Sequence, residues 1–469
     1  MSSAYAEATT LVSAIKKREL SPVELLDDIL QRAEQVQPTL HPFVTLDTDN
    51  ARAAAKEAEQ RLMRGETETL GPLHGLPVSV KDLESTKGLR TTSGSKFFEN
   101  HVPDFDGAIA TSLRRSGAII FGKTNTPQFG HKDSCDNLIG PPTRNPWNLE
   151  RTPGGSSGGA AAAVAAGIGP LAHGSDGAGS IRIPAALCGI FGFKGSLGLV
   201  PYWPNPDLWS ARSHNGPLSR TVKDAALMLN AIAKPDPRDP VSYDSDITDW
   251  LAAIQDTNLK GLRVAWSPDF GYAQVDPEVR QITTQAVKTF ANLGCEIDEV
   301  DPTWDDPKDW AALLWDFQSA IRNVDRARQH PDWIEPTLMA QIEHGANASA
   351  LQIGQAQLAR TVFYEQARKF MQKYDLLVSP QMPCVAWPVF EPPTQINGHP
   401  TPGLLDHLPF TFPFNMTGWP AATLPCGFNS EALPVALQVV TNWRQDVLCL
   451  RAAAAFEAAH PWSEAHPPV

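Results

Sequence analysis

The sequence is short of what several large protein classes require. Six cysteines in 469 residues, at 135, 188, 295, 384, 426 and 449, include no CxxC pair, so neither a thiolate metal knuckle nor a dense disulfide framework is encoded. No HExxH motif or tight His/Cys cluster occurs, which argues against a zinc hydrolase, and no metal or other cofactor is expected. Positive charge is scarce as well: 39 Lys and Arg face 52 Asp and Glu, a formal net charge of −13. Nucleic-acid binding needs clustered cations that displace counterions, so nucleic acid is not an expected partner, and the acidity reads as solubility. Long apolar runs are missing too. Ala160 to Ala172 is the longest small apolar stretch, but Gly167, Gly169 and Pro170 break it. It is too short to span a bilayer, so no membrane association is expected. The opening MSSAYAEATTLVSAIKKREL has no basic segment followed by an apolar one, and a cytoplasmic protein with reduced core thiols is expected.

What is present is ordinary globular material, 42% hydrophobic and 19% charged, arranged with clear punctuation. Ser21 with Glu24 makes a capping box and Pro22 stands at the first helical position, so a helix begins there. A second helix, rich in Ala and Glu, runs from Ala51 to Arg64 and stops at Gly65. Short apolar runs predict strands at 77–80, 118–121, 262–266 and 296–300, with helices at 107–115, 160–166 and 277–293. Strands alternating with helices predict an α/β fold with a largely buried sheet. No repeat or low-complexity segment divides the chain. One domain over 1–469 is expected: a helical segment (1–65), a core carrying the motifs (66–225) and a remainder supplying pocket elements (226–469).

The most unusual stretch is Gly154-Gly155-Ser156-Ser157-Gly158-Gly159. Alone it would read as a flexible linker. An Ala-rich helix follows it at once, and then a second turn, Gly174-Ser175-Asp176-Gly177-Ala178-Gly179-Ser180-Ile181-Arg182-Ile183-Pro184. Two such turns joined by one helix bring two hydroxyls to the same end of the structure. Glycines let backbone N–H groups approach a ligand closely, as an oxyanion hole requires. A serine hydroxyl also needs a base. Among the 12 histidines only His173 falls beside either turn, where it reads as a core residue. Lys81 ends the apolar strand Pro77-Val78-Ser79-Val80, which is an odd place for a lysine unless it snorkels to the surface. To serve as a base it must lose its proton near pH 7, where an ordinary lysine does so near ~10.4. Burial achieves this, so Lys81 is expected to be dry. Asp82 does not interfere, because neighbouring strand residues point to opposite faces.

Gly75-Leu76-Pro77-Val78-Ser79-Val80-Lys81-Asp82, the Gly154–Gly159 block and the Gly174–Pro184 turn together resemble the amidase signature family, in order and in spacing. Flanking matches include Gly122-Lys123-Thr124-Asn125, Gly216-Pro217, Ser379-Pro380, Asn415 with Gly418, and the run ending at Gln438, so the resemblance covers roughly residues 5 to 462. It implies a mixed central β-sheet covered by helices on both faces. It also implies hydrolysis of carbon–nitrogen bonds in a small-molecule amide or carbamate through an acyl-enzyme, and a homodimer. Mapped onto matching positions, Ser180 is the nucleophile, Ser156 (after a cis peptide) the proton relay and Lys81 the base. The amides of Gly177, Ala178, Gly179 and Ser180 form the oxyanion hole. Asp176 and Arg182 hold the turn, and Ser157 is read as a helix cap. Phe129, His131, Asp133 and Cys135 are candidates to line the cleft. Trp304, Trp310 and Trp315 read as core packing, with a pocket role as the alternative. Three positions depart from the family pattern: Ala178 for Gly, tolerable only at negative φ; Gln128 for Glu; and Ile183 where tRNA-linked amidotransferase subunits carry Gln.

Other readings compete. Gly117 to Thr124 matches GxxxxGKT literally, but its middle is an apolar strand and Pro127 blocks the required helix. Gly154-x-Ser156-x-Gly158 matches the nucleophile elbow of an α/β-hydrolase-like serine esterase. Loop precedes it instead of a strand, and nothing marks His214, His330 or His344 as its base. A non-catalytic, amidotransferase-type partner subunit is the remaining alternative.

Overall fold

The apolar runs fold into strands that share a single sheet. The computed structural model describes residues 3–66, 69–207 and 212–469. Its strands are β1 (Phe43–Leu46), β2 (Pro77–Lys81), β3 (Ile119–Thr124), β4 (Leu171–Asp176), β5 (Phe191–Lys194), β6 (His214–Ser219), β7 (Arg263–Trp266), β8 (Glu296–Glu299), β9 (Leu376–Pro380), β10 (Gln395–Ile396), β11 (His399–Pro400), β12 (Ala421–Phe428) and β13 (Pro434–Val440). Eleven of them form one sheet in the order β1-β3-β2-β4-β6-β5-β12-β13-β9-β7-β8, and β10 pairs with β11 alone. Pairing is parallel for β3-β2-β4 and for β9-β7-β8, and antiparallel across β4-β6-β5-β12-β13-β9. The sheet is therefore mixed and flanked by helices, as expected. None of the helices among the described residues is long and apolar enough to cross a membrane.

Local chemistry explains the element ends. Ser21 Oγ accepts from the amides of Val23 and Glu24, opening the helix Pro22–Leu40. That helix buries Leu25, Leu26, Ile29, Leu30, Ala33 and Val36, spaced to form one apolar face. The next helix starts at Thr48, three residues before the expected Ala51 and just after Asp47. β3 outruns its apolar stretch, because Lys123 and Thr124 continue the pairing opposite Val80 and Lys81. Lys123 can be fully buried there since its ammonium donates to the Glu84 carbonyl and to Thr86 Oγ1, the latter at 2.9 Å. The helix expected over 277–293 is two pieces, Pro277–Ala286 and Lys288–Asn292, meeting at Val287.

The helix Gly158–Ala165 consists of Gly, Ala and one Val, and every residue in it is buried. Its thin side chains let it lie against β2, β3, β4 and β6. Because β2, β3 and β4 run parallel, their carboxyl ends share one edge, the usual location of a site in an open α/β sheet. Lys81 closes β2 and Asp176 closes β4 at that edge.

Candidate active site

Lys81 is completely buried. Its Nζ lies 2.7 Å from Ser156 Oγ, 2.9 Å from Ser157 Oγ, 3.0 Å from Ser175 Oγ and 3.3 Å from the Ser175 carbonyl oxygen. Burial drives its pKa down to about 7. The nearby Cys135 thiol is itself pushed up to about 11 by burial and is neutral at that pH. Asp176 is the opposing charge, and Arg182 already neutralises it, so desolvation wins.

The peptide bond between Gly155 and Ser156 is cis. Gly155 is required there, because a Cβ would stand 2.3 Å from the Ser134 carbonyl oxygen. Ser157 occupies the N-cap position of the helix Gly158–Ala165, but its side chain makes no capping bond. The expected cap is replaced by a different set of contacts. Ser157 Oγ accepts from Lys81 and from the Ser175 amide at 3.3 Å, and donates to the Ser175 carbonyl at 3.2 Å. Its backbone amide donates to the Ser180 carbonyl at 3.2 Å, stitching the two Gly/Ser turns together.

The second turn is built around Asp176. Its carboxylate accepts from Arg182 Nε at 2.9 Å and Nη2 at 3.0 Å, from the Gly179 amide at 2.7 Å, from the Ile181 amide at 3.2 Å and from Asn415 Nδ2 at 2.9 Å. Burial alone would raise its pKa, but the Arg182 charge and hydrogen bonds, with the Lys194 charge and Asn415, hold it well below the usual carboxylate range. Arg182 continues outward to the Thr411 carbonyl (2.9 Å), Gln438 Oε1 (2.7 Å) and Asn415 Oδ1 (2.6 Å). The Gly179 amide is thus committed to Asp176, which corrects its place among the expected oxyanion donors. The amides of Gly177, Ala178 and Ser180 have no acceptor among the described residues. Gly179 has φ +131°, and a Cβ there would meet Thr411 at 2.7 Å, so only glycine fits. Ala178 is outside the positive-φ region, which accounts for its tolerance.

Ser180 opens onto a small recess walled by Trp315, Leu404, Leu408, Ile183, His131 and Asp133. His131 Nδ1 lies 2.8 Å from the Gln128 carbonyl, and its Nε2 lies 2.6 Å from Glu335. Asp133 sits 3.3 Å from His407 Nδ1. The other two expected cleft residues lie elsewhere. Cys135 is packed in the core, 3.5 Å from Thr143 Oγ1, because the close helix Gly158–Ala165 covers it. Phe129 packs on Phe98 with the Arg326 guanidinium 5.7 Å from its ring. Gln128, buried, bridges Ser95, the Trp333 carbonyl and the Glu335 amide at 2.8–2.9 Å. The tryptophans divide. Trp304 packs among Phe270, Phe363 and Phe370, Trp310 lies against Phe363, and Trp315 faces the recess.

The competing motifs have structural roles. Lys123 of the GxxxxGKT match sits inside β3 on Glu84 and Thr86. The segment before Gly154 is not a strand but carries only isolated bridges, at Asn145 and Arg151. His173 lies 3.0 Å from Asn215 Oδ1, and burial lowers its pKa to about 3. His330 stacks on Trp333, and His344 pairs with Asp316. Sequence reasoning gave Ser175, Thr411, Leu404 and Leu408 no role. It noted Asn415 and Gln438 only as matching positions. The readable signal for those two was a polar residue inside an otherwise apolar run, which must find a buried partner.

The amidase family profile matches residues 24–450. An acylamidase from Rhodococcus erythropolis is 38% identical over 469 residues, covering 99% of this chain and 97% of that protein. A glutamyl-tRNA(Gln) amidotransferase subunit from Thermosynechococcus vestitus is 36% identical, covering 96% and 97%. Among solved structures, a bacterial aryl acylamidase of the amidase signature family superposes with TM-score 0.92 at 31% identity, covering 98% and 97%. A 6-aminohexanoate cyclic dimer hydrolase superposes with TM-score 0.89 at 27% identity, covering 99% of both chains. With near-complete coverage in sequence and in fold, this amide-hydrolysing chain belongs to the amidase signature family.

Proposed function

We propose that the enzyme cleaves amide C–N bonds, in acyl amides first and in carbamates by the same attack on a carbonyl, with Ser180 as nucleophile, Ser156 as relay and Lys81 as base. The observation that carries this reading is a fully buried lysine, with a pKa near 7, whose Nζ lies 2.7 Å from Ser156 Oγ. A neutral amine has two N–H groups and one lone pair. The Ser157 hydroxyl proton is committed to the Ser175 carbonyl, so Ser157 Oγ can only accept from Lys81. Ser175 Oγ takes the second N–H at 3.0 Å. The lone pair is then left for the Ser156 hydroxyl, at the shortest of the three distances.

Lys81 draws the Ser156 proton as Ser156 accepts the proton of Ser180, whose oxygen attacks the carbonyl. The developing oxyanion is received by the amides of Gly177, Ala178 and Ser180, while Gly179 and Arg182 keep the turn rigid through Asp176. The proton returns through Ser156 to the leaving nitrogen, and water then releases the acyl group. The apolar walls of Trp315, Leu404 and Leu408 suit an acyl or aryl group. A stand-alone hydrolase is the preferred reading over an amidotransferase subunit, supported by the acylamidase at 38% identity. A serine-directed probe is expected to label Ser180. Labelling that persists in Ser180→Ala defeats the nucleophile assignment.

A further inference from the structure

Trp315 has a neighbour besides the recess. The Arg212 guanidinium carbon lies 4.6 Å from the Trp315 ring centroid. Arg212 is 6% exposed, and its Nε has no hydrogen-bond partner among the described residues. It lines a cavity together with Arg360, Asp207, Gln318, Leu314 and Met416. Arg360 is oriented by its own Nε, which donates to the Met416 carbonyl at 2.9 Å. Among the described residues lining this cavity two are cations and one, Asp207, is a carboxylate, which Gln318 Nε2 faces at 3.5 Å. Arg322 adds a third positive charge nearby, and Asp316 is paired with His344 at 2.7 Å. Burial, then the like charges of Arg322 and Arg360, push the Arg212 pKa down to about 9, with Asp316 and Asp207 opposing only in part.

A buried guanidinium with an unpaired N–H is costly, and its planar fork pairs best with a carboxylate. The cavity is tied to the reaction centre in two ways. Trp315 borders both Ser180's recess and the Arg212 guanidinium. Asn415 Nδ2 also donates both to the Arg212 carbonyl, at 3.3 Å, and to the Asp176 carbonyl, at 2.9 Å. We propose that the Arg212–Arg360 cavity is a subsite for a carboxylate carried by the substrate, so that this enzyme prefers amides bearing a free acid group remote from the scissile bond. The inference rests on Ser180 being the nucleophile at the recess.

The test is calorimetric titration of the Ser180→Ala protein, where binding is read without turnover. Glutaranilic acid (acid on the acyl side) is compared with pentananilide, and 4-acetamidobenzoate (acid on the amine side) with 4-acetamidotoluene. One acid is expected to bind about tenfold more tightly than its neutral counterpart. Which pair shows the advantage tells which side of the amide faces the arginines. In Ser180→Ala/Arg360→Gln, and again in Ser180→Ala/Arg212→Gln, that ratio is expected to fall to near one. Acids that bind no better than neutral counterparts overturn the proposal, as does an advantage that survives Arg360→Gln, the half-buried and structurally milder change. Failure of the nucleophile assignment would show differently, as anilide turnover by Ser180→Ala itself.

Discussion

Lys81 Nζ and Ser156 Oγ lie 2.7 Å apart although 75 residues separate them in the chain. The contact exists because Lys81 ends one strand of a parallel pair, and the helix opened by the Ser156 turn packs across that pair. The two groups touch directly inside the protein, Lys81 fully buried and Ser156 2% exposed. In the proposed relay this contact carries the proton that the poor leaving group of an amide, unlike that of an activated ester, must receive as it departs.

Replacing Lys81 with Ala is therefore expected to lower kcat/KM for an anilide by about 10²–10⁴, the usual worth of a positioned acid–base group. The loss for the matching p-nitrophenyl ester is expected to be at least about tenfold smaller. Parallel assays on the two substrates check this, with acylation confirmed as rate-limiting for both. Equal losses would remove Lys81 from leaving-group protonation.

The pH profile has a determined sign. As the proposed base Lys81 acts only when neutral, and burial places its pKa at about 7, well below that of an ordinary lysine. For an amide, kcat/KM is expected to rise as pH passes upward through about 7 and to be flat above it. The ascending limb is expected to disappear in Lys81→Ala. A limb in the ordinary carboxylate region, near ~4, would point to a different base.

Asp176→Asn removes the charge opposite a completely buried Arg182 and weakens the acceptor for the Gly179 and Ile181 amides. Breaking a buried ion pair on one side costs about 3–5 kcal/mol, and urea unfolding is expected to show a loss of that order. In the parent protein the depressed Asp176 pKa means that this stabilisation is complete at neutral pH. It is lost only as pH falls through a value well below the usual carboxylate range. A variant as stable as the parent would show that the pair contributes little.

Gly179→Ala places a methyl 2.7 Å from Thr411 at a φ of +131°, a backbone state that L-residues rarely adopt. A stability loss of at least ~1–3 kcal/mol is expected, with turnover falling further than stability because Ser180 is the next residue. Differential scanning calorimetry and single-turnover acylation separate the two effects. Unchanged acylation would mean that the turn relaxes without moving Ser180.

Much of this was legible because a few residues are out of place locally. Lys81 is a charge at the end of an apolar strand, and the glycines around Ser156 and Ser180 are too many for a helix or a strand. Asp82, the first residue past the end of β2, turns away to Thr92, whose amide lies 3.1 Å from its carboxylate. The partners of Arg182 were not legible. Thr411, Asn415 and Gln438 lie more than 200 residues away, and nothing in a local pattern gives the register in which β13 joins the sheet. The same applies to Leu404 and Leu408, apolar residues whose place at the recess depends on how a long connection returns to the sheet. Cys135 and Phe129 misled because sequence proximity to His131 and Asp133 says nothing about direction. One is covered by the helix that follows the Ser156 turn, and the other is drawn outward by Phe98 and Arg326.

Arg182 reaches forward to residues 411, 415 and 438, and this gives the molecule a schedule. A chain emerging from the ribosome exposes both serines long before the last of those partners has been synthesised. Until residue 438 is available, Arg182 lacks its full set of anchors and the Ser180 turn lacks the far side of its frame. The loop that carries Ser180 is thus framed by contacts whose last member, Gln438, is made only near the end of synthesis.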